Sequence, residues 1–146
     1  MRMLVSVAAV TLVLGADAPA DAVKTETAQL EGEWTMVSGK RDGQKLPDDF
    51  VKSGKRVAKD GVSTVTFGDP LFMKARLTID PGKKPKTIDY EVIDGQGKGK
   101  TVLGIYEIDG NTVKFCFAAP DKERPTEFAS KEGSGHTLSV WKRTAK

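Results

Sequence analysis

One cysteine, Cys116, and one histidine, His136, are all that a chain of 146 residues offers of either type. A single thiol has no partner, so no disulfide framework staples the fold. One Cys and one His also fall short of a zinc site, and no pair of residues stands at the spacing such sites use. No metal and no cofactor is expected. Aromatic residues make up 7% of the chain, and none interleaves with its one lysine-rich stretch, so the stacking pattern of single-strand nucleic-acid binders is missing. Excess charge is missing too: the formal net charge of +3 includes Arg2. A near-balanced chain has no global attraction to nucleic acid or to an anionic membrane.

Long apolar runs are absent after the first residues. Met1-Arg2 gives a short positive start, and Met3 to Leu14 is apolar except for Ser6 and Thr11. Charge, length and position fit a secretory signal peptide over residues 1–16. Cleavage is expected after Ala16, because a cut after Ala18 would leave Pro19 next to the scissile bond. An uncleaved anchor is the competing reading, and the run is shorter than the ~20 residues that span a bilayer. The mature chain is therefore expected in an extracytoplasmic space, periplasmic or secreted, and not spanning a membrane after cleavage. Residues 17–29, rich in Ala, Asp and Thr, read as a flexible segment. The remaining 30–146 has the size of one domain with one core.

What is present is a regular succession of strands and turns. Gly32-Glu33-Trp34 opens an alternating run through Ser38, and Asp42-Gly43 breaks it. Pro47-Asp48-Asp49 places proline and carboxylates where a helix begins, and Gly54 stops it within one or two turns. From Lys55 onward, short β-rich runs alternate with Asp60-Gly61, Gly68-Asp69-Pro70, Pro81-Gly82 and a triple-glycine loop over 94–100, the spacing of an all-β sandwich or barrel. Thr101 to Ile108 and Asn111 to Ala118 flank Asp109-Gly110, which predicts a type I′ hairpin. A two-residue turn there pairs Tyr106 with Val113, Gly104 with Phe115 and Val102 with Phe117, all on one face. Ile105, Leu103 and Cys116 then share the other face. A bulged turn shifts the partners. The chain ends on Thr137 to Arg143, and a cation of Trp141-Lys142-Arg143 is placed to lie over the Trp34 indole and close one barrel end.

Three motifs resemble chemistry and fail on context. Gly99-Lys100-Thr101 ends like a phosphate-binding loop, but Asp94 stands where that loop needs glycine and a strand follows instead of a helix. Gly133-Ser134-Gly135-His136 puts a hydroxyl near the histidine without a nucleophile elbow's strand–turn–helix frame. Asp89, Glu91 and Glu107 are the strand carboxylates a catalytic cleft would have to use. Two surface features fit recognition. Lys83-Lys84-Pro85-Lys86, with Lys98 and Lys100, is a basic cluster suited to an envelope or protein partner. Glu123 to Phe128 is either a cap over a barrel mouth, through an Arg–carboxylate pair, or an exposed loop anchored by Phe128.

Longer stretches carry a resemblance. These are Leu30-Glu31-Gly32-Glu33-Trp34, Gly43-Gln44-Lys45-Leu46-Pro47, Asp80-Pro81 with Lys84-Pro85-Lys86-Thr87-Ile88-Asp89, and Gly97 through Glu107. Phe115-Cys116-Phe117-Ala118, Arg124-Pro125-Thr126-Glu127-Phe128 and Gly133-Ser134-Gly135 complete the set. Together they resemble a family of uncharacterised secreted lipocalin-like domains abundant in planctomycete bacteria. The resemblance covers Leu30 to Arg143 and is weakest from Val51 to Ala75. It implies a lipocalin-like barrel and export, and it carries over no catalytic residues.

The expectation is an all-β, eight-stranded antiparallel up-and-down barrel, lipocalin-like, with one short helix. Its closing residues are Gly32, Trp34, Lys142 and Arg143. Trp34, Tyr106, Val113, Phe115 and Phe117 are the candidate interior residues for a small apolar ligand. A filled barrel acting as a cell-envelope or protein interaction module is the alternative. No enzymatic activity is expected.

Overall fold

The computed structural model describes residues 18–145, so the leader expected over 1–16 and its cleavage site lie outside the described residues. Two helices, α1 (Ala20–Leu30) and α2 (Asp48–Lys52), accompany nine strands. The strands are β1 (Gly32–Arg41), β2 (Gln44–Lys45), β3 (Gly54–Lys59), β4 (Val62–Phe67), β5 (Leu71–Asp80), β6 (Lys86–Gly95), β7 (Thr101–Asp109), β8 (Thr112–Phe117) and β9 (Thr137–Ala145). Each strand from β3 to β8 pairs antiparallel with the next, β1 pairs with β3, and β1 also pairs with β9. That last ladder closes an eight-stranded up-and-down barrel and removes its free edges. β2 is a two-residue strand on the same edge of β1 as β3, beyond the end of the β1–β3 ladder.

Alternation sorts the side chains. In β6, Ile88, Tyr90 and Val92 are buried inside while Asp89 and Glu91 point out. In β8, Val113 and Phe115 face in, and Lys114 faces out. The core joins these to Trp34, Met36, Val65, Ala75, Ile79, Tyr106 and Trp141. Because every connection is a simple reversal, one barrel end gathers the starts of β1, β4, β6 and β8 with the ends of β3, β5, β7 and β9. The other end carries β2, α2, the 95–100 loop and the 118–136 segment.

Three expectations need correction. Residues 17–29 were expected to be a flexible segment, whereas Ala20–Leu30 forms α1. Ala, Glu, Gln, Lys and Leu favour the helix, and Val23, Glu26, Thr27 and Leu30 fall on one face at i, i+3, i+4 and i+7. Leu30 is buried in the core and Val23 packs against it. The polar Glu26 in the middle of that stripe hides the pattern. Second, the hairpin keeps its predicted face but not its partners: Tyr106 pairs with Phe115, Gly104 with Phe117 and Ile108 with Val113. Asp109 and Thr112 bracket a Gly110-Asn111 turn, in which Gly110 carries the positive φ of 59°. Third, Lys98 and Lys100 do not join the Lys83–Lys86 loop. The ten residues of β6 separate the two loops, a length of about 30 Å.

Candidate functional site

Two arginines divide the barrel along its axis. At the α1 end, the Arg143 guanidinium lies 4.2 Å above the Trp34 ring and donates to the carbonyls of Gln29 and Glu31 at the helix C-terminus. Trp34 is 1% exposed, and its indole N–H donates to Leu30 O at 3.0 Å. Ring, cation and helix end thus lock one another, and α1 seals this end. Arg143, not Lys142, supplies the cation; Lys142 is exposed on the outside of β9. Gly32 begins the strand with φ 114°, a backbone conformation suited to glycine.

Glu26 extends the seal. Its carboxylate takes Lys86 Nζ at 2.6 Å and the Tyr106 hydroxyl at 3.3 Å. Burial, and then the adjacent Glu26 carboxylate, push the Tyr106 phenol well above its ordinary value of 10.0. The unfolded phenol ionises near that value while the folded one keeps its proton. Stability contributed by Tyr106 is therefore intact below pH 10 and lost as pH rises beyond it, by up to about 1.4 kcal/mol per pH unit. Urea midpoints measured above pH 10 should fall less steeply in Tyr106→Phe than in the wild type. Equal slopes would contradict this assignment.

Arg56 occupies the middle. It points inward from β3, is 5% exposed, and lies between Phe115, at 4.4 Å, and Trp141, at 4.6 Å, with Tyr90 at 5.8 Å. Its Nη1 donates to Ser63 Oγ at 2.9 Å and to the Tyr90 hydroxyl. Trp141 is itself fixed by its indole N–H donating to Ser139 Oγ at 2.9 Å. Below Arg56, toward α1, the packing leaves a void of about 10 Å³ bordered by Leu30, Trp34, Ile88, Val113 and Phe115, at the lower limit for one water molecule. That half of the barrel is filled.

Above Arg56 it is not. A cavity of about 210 Å³ runs from Arg56, Tyr90, Ser139 and Trp141 to the far mouth, with walls that include Met36, Val65, Met73, Val102 and Phe117. The mouth is aromatic: Phe50 stacks on Phe67 at 3.9 Å, and Phe67 meets Phe72 edge-on at 5.3 Å. Leu46, from the β2–α2 connection, and Arg41 complete its edge. The volume exceeds an apolar cavity of ~150 Å³ that accepts benzene and is below the ~300 Å³ at which drug-sized sites begin. A wider cleft of about 950 Å³ lies outside the sealed end, among Gln29, Gly32, Glu33, Lys59, Asn111 and Arg143. Its lining mixes Ala28, Val57, Ala58 and Ile108 with glycines and long polar side chains, and it lies outside the barrel interior.

Of the five interior residues singled out in the sequence, only Phe117 lines the open cavity. Trp34, Val113 and Phe115 border the filled half, and Tyr106 faces Glu26. Sequence reading missed Arg56, Tyr90 and the Phe50–Phe67–Phe72 cluster. In β3, Val57 is 43% exposed and Arg56 is buried, the reverse of what hydrophobicity indicates.

The remaining groups are held in structural contacts. Asp89, Glu91 and Glu107 face outward, in ion pairs with Arg124, Arg76 and Lys114. Arg124 approaches Asp89 at 2.7 Å as an ion pair outside hydrogen-bond alignment, and its Nη1 donates to the carbonyls of Gly104 and Ile88. Residues 123–128 are thereby pinned along the outer wall instead of capping the mouth, with Lys114 over the Phe128 ring at 4.7 Å, while Ala118, Ala119, Pro120 and Gly135 line the cavity. Cys116 is buried beneath that segment, with its thiol donating to Ala129 O at 3.4 Å; burial raises its pKa, which suppresses the reactive thiolate. The Ser134 hydroxyl donates to Lys131 O at 2.5 Å and accepts from the His136 backbone N–H. Among the described residues, no cluster of His, Cys, Asp and Glu could hold a metal ion, and no helix is long and apolar enough to cross a membrane. No family model, curated protein or solved structure matches the chain.

Proposed function

We propose that this is an exported, lipocalin-like, non-enzymatic barrel that binds a small apolar ligand through its open mouth. The apolar cavity of about 210 Å³ carries the reading. A barrel whose inner side chains interlocked from end to end would leave no such space, and this one is filled only below Arg56. The exposed edge of Phe50 lies at the mouth, where an entering apolar molecule would first be desolvated. The leader-like first residues support export. The interaction-module alternative has less behind it: in the loop it relies on, Lys86 is engaged by Glu26 and Lys83 lies 4.0 Å from Asp80.

Titration with octanol, a neutral apolar probe, tests the reading. The two tryptophans lie on opposite sides of the Arg56 layer, so their indole N–H resonances distinguish the cavity from the seal. Saturable movement of Trp141 with Trp34 unmoved is the expected result. No saturable response, or one confined to Trp34, would sink it.

A further inference from the structure

We propose that the ligand is an apolar molecule with a single carboxylate head, and that Arg56 at the cavity floor reads that head. The inference rests on the binding reading above and adds the chemistry of the occupant. Arg56 is a cation at 5% exposure, and among the described residues no carboxylate pairs with it. A buried charge without a counter-charge is heavily penalised. The three rings around it offset part of that penalty through their π faces, and Ser63 and Tyr90 satisfy Nη1. Nε has no hydrogen-bond partner.

The unsatisfied atom lies on the useful edge. Nε–H and the adjacent Nη2–H form the side of a guanidinium that grips a carboxylate with two parallel bonds. Nη1, already committed to Ser63 and Tyr90, holds the plane fixed as Phe115 and Trp141 enclose it. One buried positive charge is matched by one negative charge. A carboxylate supplies that, whereas a phosphate dianion would leave an uncompensated charge in the same enclosed space. Ser139 and the Tyr90 hydroxyl border the floor, and the Met36, Val65, Met73, Val102 and Phe117 walls above it, toward Phe67 and Phe72, suit an alkyl or aryl tail.

Octanoate and octanol share a tail and differ in the head, so their affinities for the full-length mature protein separate this inference from the one beneath it. Octanoate should bind at least tenfold tighter than octanol. Arg56→Met should remove that preference and keep octanol binding, while Arg41→Gln, at the rim, should leave the preference intact. Equal affinities in the wild type, or a preference that survives Arg56→Met, overturn the carboxylate assignment and leave apolar binding standing. Failure of both probes to bind overturns both. Carboxyl-labelled octanoate provides a readout that needs no variant: beside Arg56 its carboxyl should stay ionised to lower pH than in free solution, and an unchanged or raised midpoint contradicts the proposal.

Discussion

Trp34→Ala is expected to destabilise the barrel by about 3–5 kcal/mol, the range for truncating a fully buried large aromatic. Three losses coincide at this position. The indole leaves a hole between Leu30, Val113 and Phe115 that these side chains, held on separate elements, cannot all move to fill. Leu30 O loses the donor that ties α1 to β1. Arg143 loses the ring beneath it while remaining bound to the last carbonyls of α1. A helix of eleven residues is marginal without tertiary contacts, so α1 should undock at lower denaturant than the barrel unfolds. Urea denaturation followed by far-ultraviolet circular dichroism would reveal both the lower midpoint and the earlier helix loss. A loss below about 1 kcal/mol, far under the range for such truncations, would mean that Trp34 does not plug the barrel.

Gly104→Ala is expected to destabilise by about 1–3 kcal/mol, the range for overpacking a filled core. Its sign is the informative part, because replacing glycine by alanine within a regular element ordinarily gains roughly 0.5–1 kcal/mol. Gly104 does not have the positive φ that would demand glycine. The requirement is space: a Cβ there would lie 2.7 Å from Cε1 of Phe117 and 2.8 Å from Cys116 O. The carbonyl belongs to the β7–β8 ladder and cannot retreat. The ring is held by Tyr90 at 4.6 Å and Phe115 at 5.6 Å, and its free direction is toward the cavity. Gly104→Ala should therefore reduce cavity volume as well as stability, and Phe117→Leu should relieve part of the loss, with a coupling energy measurable by a double-mutant cycle. A neutral or stabilising Gly104→Ala would contradict this packing.

Much of the barrel was legible because its signals are local. Turn dipeptides at regular spacing marked the strands, and Trp34 with a cation on the last strand marked the seal. The β7–β8 hairpin shows the limit of such reading. Period-two alternation fixed which side chains share a face, so Tyr106, Val113, Phe115 and Phe117 were correctly grouped. The partners depended on whether the turn was centred on Asp109-Gly110 or Gly110-Asn111, and composition favours the first while the chain adopts the second.

The site was less legible, for reasons of the same kind. Arg56 looks like an outward residue beside Val57, and its burial depends on Phe115, Tyr90 and Trp141, each from a different strand. No local pattern encodes that convergence. The division between a filled half and an open half was equally invisible, because it reflects residue volumes summed across the ring. Hence aromatic residues chosen for sharing a face fell mostly in the half with no room for a ligand. α1 was hidden by Glu26, a polar residue whose partners, Lys86 and Tyr106, lie 60 and 80 residues away.

The most direct measurement is an octanol titration of the wild type and Val102→Phe side by side, read at the two indole N–H resonances. Val102 lines the open cavity, so a larger side chain there should block the space without touching the seal. The expected result is saturable movement of Trp141 in the wild type, none in a folded Val102→Phe, and a stationary Trp34 in both. Undiminished binding in Val102→Phe, or movement of Trp34 in place of Trp141, would contradict a barrel sealed at the α1 end and open for a ligand at the other.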